Sequence, residues 1–165
     1  MKAAIFFGSK SDTASMKKCT DVLGEFGVEY KAFVISAHRA HKLLEETVAQ
    51  VEKDGFEVII AGAGLAAALP GVIAGMTVLP VIGVPLECVS GNSNGLGGMD
   101  ALLSIVQMPP QIPVATVGIG NAKNAAYLAV QVLAIKYPEL KTKLVEFRKK
   151  LADDAVSNGG SGIDL

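Results

Sequence analysis

The residues of this chain with the most chemistry to offer are His38 and Arg39, side by side just after an apolar run that ends at Ile35-Ser36-Ala37. A histidine titrates near neutrality and can pass a proton in either direction, while an arginine presents a planar fork of donors to phosphate or carboxylate. Together they suit acid–base chemistry on an anionic small molecule, although an exposed basic loop would account for an isolated pair. A second cluster, Gly8-Ser9-Lys10-Ser11-Asp12, has the form of an anion nest. Backbone N–H groups at a helix start and the hydroxyls of Ser9 and Ser11 can receive phosphate oxygens, and Asp12 can accept from ribose hydroxyls. Plain helix capping by Ser or Asp explains the same residues.

A third cluster is Gly62-Ala63-Gly64-Leu65-Ala66-Ala67-Ala68-Leu69-Pro70-Gly71. It follows a strand and precedes a helix, so it matches a loose dinucleotide fingerprint, with Glu87 as the ribose-binding acid. Pro70 interrupts the expected helix start, the unit begins at the third strand, and Glu87 falls in a long loop. The preferred reading is a tight, dry pocket in which backbone approaches a flat ligand. His38 and His41 stand three apart, but no Cys or suitably spaced acid completes a metal site, and none is expected. His41 reads as an exposed helix residue.

The elements that must position these clusters follow from periodicity. Ala3–Phe7, Glu29–Ile35, Val58–Ala61, the run between Pro80 and Pro85, and Val114–Ile119 read as strands. Met16, Cys19, Leu23 and Phe26 define one helix face, stopped by Gly27, with Asp12 as its N-cap. Leu44, Val48 and Val51 define a second, closed by Asp54-Gly55. Further helices are expected to about Met76, over Met99–Met108, over Asn121–Lys136, and from Pro138 to about Val156. Strands alternating with helices predict an α/β fold: a doubly wound parallel sheet of about five strands in a three-layer αβα sandwich, Rossmann- or flavodoxin-like, plus a C-terminal helix. The nearly continuous apolar strands fit a sheet buried on both sides. Residues 1–156 form one domain and 157–165 a flexible tail; the Gly-, Asn- and Ser-rich stretch from Leu86 to Gly98 has the length of a lid or an interface. Ser9, Ser11, Asp12, Ser36, His38, Arg39 and the Gly62 loop then share the carboxyl edge of the sheet, where such folds bind ligands.

Composition narrows the partners. Half of the 165 residues are apolar, 19% are charged, and the net charge is −1. That balance favours a homo-oligomer, and the absence of a basic run or interleaved aromatics argues against nucleic acid. The opening apolar run is too short for a signal peptide or a membrane span. Cys19 and Cys88 show neither metal spacing nor a disulfide framework, as in a reduced, cytoplasmic protein.

Taken in order, Gly-Ser-Lys-Ser-Asp, Ser-Ala-His-Arg, Ala-Gly-Ala-Gly-x-Ala-Ala-x-Leu-Pro-Gly, Leu-Pro-Val-Ile-Gly-Val-Pro, Ser-Ile-Val-Gln-Met-Pro and Ile-Pro-Val-Ala-Thr resemble the class I PurE family, the carboxyaminoimidazole ribonucleotide mutases of purine biosynthesis. The likeness covers about residues 3 to 137. It implies an octamer with sites shared between subunits and no metal or organic cofactor. It also implies an isomerase that moves CO2 from the N5 carbamate of N5-carboxyaminoimidazole ribonucleotide to the C4 ring carbon, giving 4-carboxy-5-aminoimidazole ribonucleotide. Matching positions would give Ser9, Ser11 and Arg39 to the phosphate, Asp12 to the ribose and His38 to proton transfer. Gly62, Ala63, Gly64 and the residues through Leu69 would surround the base and the CO2. The chain departs from the family at Leu65 and Gln111, where glycine is usual, at Ala68, where a second histidine is usual, and in a longer loop over 87–98. Class II relatives, which carboxylate aminoimidazole ribonucleotide directly with CO2, give the alternative activity. A nucleotide-binding, non-catalytic homologue is the remaining one.

Overall fold

Short apolar runs bounded by Gly, Pro and polar residues alternate with amphipathic segments, and each becomes an element in the computed structural model, which describes residues 1–88 and 95–159. In chain order these are β1 (Lys2–Phe7), α1 (Thr13–Phe26), β2 (Glu29–Val34), α2 (His41–Lys53), β3 (Val58–Gly64), α3 (Leu69–Ala74), β4 (Val81–Leu86), α4 (Met99–Val106), β5 (Ala115–Thr116), α5 (Ala122–Ala134) and α6 (Pro138–Asn158). All strand pairs are parallel, in the order β2-β1-β3-β4-β5.

Side chains of a strand alternate between faces, and here the alternation feeds two cores. Ala3, Ile5, Phe7, Ile60, Ile82 and Val84 pack with α1, α5 and α6. Ala4, Phe6, Ile59, Ala61 and Val81 pack with α2, α3 and α4. The sheet is therefore sandwiched as the sequence predicts, except at β2. Its residues Glu29, Tyr30, Lys31, Ala32 and Val34 are exposed, because β2 is an edge strand whose outer faces are not fully covered.

Four local expectations are corrected. Gly62, Ala63 and Gly64 continue β3 instead of opening a loop, pairing with Val84, Pro85 and Leu86 of β4. Glycine is weak in strands by propensity, but close packing overrides it: a Cβ on Gly62 would lie 2.4 Å from Met16 Sδ, and one on Gly64 would lie 3.1 Å from the Leu86 carbonyl oxygen. Pro70 does not interrupt the third helix; it occupies the first turn of α3, where a missing N–H costs nothing. β5 is two residues long, not six, pairing only Ala115 and Thr116 with Ile82 and Gly83. Pro85 sits inside β4, yet its backbone faces the side on which β5 has already ended, and its carbonyl accepts from Gly120 N–H at 2.8 Å.

At the amino edge of the sheet, Glu57 ties together distant parts of the chain. Its carboxylate accepts from Lys136 Nζ at 2.6 Å and from the Tyr137 hydroxyl at 2.9 and 3.0 Å, and the Met1 ammonium stands 3.8 Å away. At the other terminus, α6 takes in Ser157 and Asn158 of the proposed flexible tail and Gly159 caps it, while residues 160–165 lie outside the described residues. So does the centre of the long loop, residues 89–94.

Candidate functional site

The sheet order changes direction between β1 and β3: the chain moves outward from β1 to β2, then returns to the opposite side of β1. Loops leaving the carboxyl ends of strands on either side of such a switch diverge and open a crevice. Register reinforces this. Phe7 pairs with Val34 and with Gly62, so β1, β2 and β3 end nearly level and their loops rise from one edge.

A cavity of about 260 Å³ occupies that edge. Ser9, Ser11 and Asp12 reach it from the loop after β1, and Ser36, His38 and Arg39 from the turn after β2. Ala63, Gly64 and Leu69 reach it from β3 and the start of α3. Of the residues to which the resemblance gives a role, Gly62 is absent from its wall, and so is Glu87, the acid of the dinucleotide reading. Gly62 instead leaves room beneath the sheet for Met16, as described above.

The loop after β1 forms one 3-10 turn over Lys10–Asp12. Ser9 caps it: its Oγ accepts from Ser11 N at 3.3 Å and from Ser11 Oγ at 2.9 Å. The capping role and the cavity position thus coincide in the same residue. Asp12 stands at the N-cap position of α1 but makes no side-chain capping bond, so its carboxylate is not committed to the helix. Burial raises the Asp12 carboxyl above its ordinary value of 3.8, while hydrogen bonds from the Ser9 backbone and the Ser11 side chain pull it back down.

The turn after β2 is organised by Ser36. Its carbonyl accepts from Arg39 N at 3.3 Å and Ala40 N at 2.9 Å, and its hydroxyl accepts from Arg39 Nε at 3.3 Å. This folds Arg39 back beside His38, and both side chains are exposed toward the cavity and solvent. His41, the other histidine of the chain, opens α2 and is exposed outside the cavity. A fixed cation, two linked hydroxyls, a carboxylate and one imidazole therefore meet at one edge, a set able to hold a phosphorylated sugar and move a proton.

The remaining wall is apolar. Ala63, Ala67 and Leu69 are buried, and Leu65 and Ala68 complete the loop after β3. Leu65 has φ 55 and Gln111 has φ 78; among the described residues they are the only non-glycine positions in the left-handed region. These are two of the positions at which the resemblance expects glycine. An L side chain there costs roughly 1–2 kcal/mol. Cys88, two residues beyond β4, also lines the cavity, a contribution that the sequence reading did not assign. Its place just past a strand end, at the edge shared by the other clusters, was the available signal. Cys19 is a different case: burial pushes its thiol up to about 12, and it belongs to the core. Among the described residues no three His, Cys, Asp or Glu side chains are placed to hold a metal ion, and no helix is long and apolar enough to cross a membrane.

Comparison with known proteins places this geometry in context. A family model described as AIR carboxylase matches residues 2–154. A Pyrococcus abyssi protein named N5-carboxyaminoimidazole ribonucleotide mutase is 55% identical over 150 residues, covering 91% of this chain and 83% of that one. One of the same name from Saccharolobus solfataricus is 50% identical over 156 residues, covering 94% and 96%. Among solved structures, the crystal structure of Treponema denticola PurE superposes with a TM-score of 0.80 at 27% identity, covering 96% of this chain and 99% of that one.

Proposed function

The chain belongs to the AIR carboxylase family, and on that premise we propose that it acts as an N5-carboxyaminoimidazole ribonucleotide mutase in purine biosynthesis. The observation that carries this reading is the identity, at about half of all positions over nearly the whole chain, with relatives bearing that name. The cavity supplies matching chemistry.

In this reading the 5′-phosphate lies against Arg39 and the Ser9–Ser11 hydroxyls, which offer charge-assisted and neutral hydrogen bonds. Asp12 accepts from the ribose, and the imidazole ring lies along Ala63, Gly64 and the loop to Leu69. His38, protonated, delivers its proton to the carbamate nitrogen. The N–C bond then breaks, leaving the amine and CO2, which stays in the apolar end of the cavity. The C4 carbon, made electron-rich by that amine, adds to CO2 and becomes tetrahedral. Neutral His38 removes the C4 proton, aromaticity returns, and the histidine is ready for another cycle. One proton is lent and recovered, and no atom is gained or lost. Exclusion of water from the apolar end limits loss of CO2.

The partner of this site is an imidazole ribonucleotide, and the same reading includes a cytoplasmic homo-oligomer, an octamer. Two observations support assembly. The cavity, at about 260 Å³, falls below the roughly 300–1,000 Å³ of typical small-ligand sites, so a bound ribonucleotide needs further cover. Met99, Leu103 and Val106 form an exposed apolar stripe on α4, and Tyr30 and Val34 are exposed on edge strand β2. Light scattering on the purified chain tests the assembly; a monomer would remove it.

The activity is tested with two substrates under matched conditions: the carbamate ribonucleotide, and aminoimidazole ribonucleotide with bicarbonate and CO2. Efficient conversion of the carbamate with little uptake of dissolved label is expected. Efficient CO2-dependent carboxylation of the free amine would make the protein a direct carboxylase, and inactivity in both arms would remove the catalytic reading.

A further inference from the structure

We propose that Leu65 is the residue that retains CO2 during the transfer, a role that rests on the mutase reading above. CO2 is neutral and has no net dipole, so the part of the cavity that can hold it is the apolar end, away from the hydroxyls and the guanidinium. That end is built from Ala63, Ala67 and Leu69, which are 7%, 3% and 3% exposed, and from Leu65, which is 42% exposed. The first three form the buried floor. Leu65 alone among them combines a large apolar side chain with a position at the rim, between the floor and water.

Its placement there is held by the backbone on one side and by the returning chain on the other. Leu65 adopts φ 55, a conformation that leucine rarely takes and that a glycine would adopt without strain. Backbone strain at the wall of a cavity points to a use for the side chain it presents. Gly95, on the chain's way back from the long loop to α4, passes against the isobutyl group: a Cβ built on Gly95 would stand 3.4 Å from Leu65 Cδ2 and 3.3 Å from Cys88 Cβ. Leu96 N–H donates to Asp100 Oδ2 at 3.4 Å, which fixes this return against the first turn of α4. Leu65 therefore fills the space between the cavity floor and Gly95, and a smaller residue at position 65 would open a passage from the CO2 end of the cavity to solvent.

The test follows the fate of the carboxyl carbon. Full-length protein converts the unlabelled carbamate in the presence of ¹³C-bicarbonate, with carbonic anhydrase keeping CO2 and bicarbonate in equilibrium, and mass spectrometry reads the labelled fraction of the product. Leu65→Gly and Leu65→Ala should each raise that fraction several-fold over the wild type, with Leu65→Met, which keeps the bulk, close to the wild type. Gln111→Gly, which relieves left-handed backbone strain outside the cavity, should leave the fraction unchanged. Unaltered labelling in folded Leu65→Gly and Leu65→Ala would overturn the proposal, as would a rise shared by Leu65→Met and Gln111→Gly, which would mean general loosening. The wild-type arm separates the two claims: extensive labelling or no turnover there would remove the mutase reading itself, whereas low labelling in every variant would remove only the role of Leu65.

Discussion

Arg39 Nε donates to the Ser36 hydroxyl at 3.3 Å, across the turn that closes β2. The bond uses one donor of the guanidinium and leaves the terminal nitrogens for an anion. Arg39→Ala should raise KM roughly 10- to 100-fold, the equivalent of one or two hydrogen bonds to a charged group. Arg39→Lys should restore only part of this, because a point charge cannot reproduce the fork. Initial-rate kinetics check it; an unchanged KM in Arg39→Ala would take Arg39 out of the phosphate site.

His38 supplies the only imidazole of the cavity wall. His38→Ala should lower kcat by about 10²–10⁴, the usual contribution of a positioned acid–base group. Circular dichroism should show the fold retained, since the side chain is exposed and outside both cores. Near-normal turnover in a folded variant would transfer the proton step to another group.

Gly83 lies in the middle of β4, where α4 and the approach to β5 converge. A Cβ there would stand 2.5 Å from Ile105 Cγ2 and 2.8 Å from Val114 Cγ1, both on stiff β-branched side chains. Gly83→Ala should destabilise by about 1–3 kcal/mol through overpacking. Thermal unfolding reads this as roughly 2–4 °C per kcal/mol for a domain of this size.

Glu57 predicts an acid-side effect. Burial alone would raise its carboxyl, but the hydrogen bonds from Lys136 and Tyr137, with the charges of Lys136 and the N-terminal ammonium, hold it below its ordinary 4.5. A carboxyl lowered in the folded state contributes stability that is present above its unfolded value and is lost as pH falls through the folded one. In urea titrations Glu57→Gln should be less stable than the wild type at neutral pH, and the gap should close as pH drops below about 4.5. A gap constant with pH would mean that packing, not charge, holds the cluster together.

Most of the sheet and much of the site were legible because both rest on local signals. Apolar runs marked β1, β3 and β4, and helical spacing gave α1, α2 and α5. The hydroxyls of Ser9 and Ser11 and the His38-Arg39 pair declared themselves by residue type and by falling just after strands. The misreadings share a cause that lies far away in sequence. Gly62 looked like loop because its partner, Met16, is on another element. Val114–Ile119 looked like a full strand, but β4 offers it ladder pairs only at Ile82 and Gly83. The exposure of β2 could not be read from its composition, because an edge position is a property of sheet order. Cys88 entered the cavity for a similar reason: parallel register brings the end of β4 level with the end of β3.

The pairing of β1 with β3 has a kinetic meaning. Phe7 meets Gly62 only after α1, β2 and α2 have been bridged, and such non-local pairing makes folding slow. The same pairing creates the switch point that opens the crevice. A nascent or partly folded chain holding β1, α1 and β2 already has its serines, histidine and arginine, but no third loop to face them. Competence to bind therefore requires the closing of the sheet, and ligand capture during refolding would report when the central strands meet.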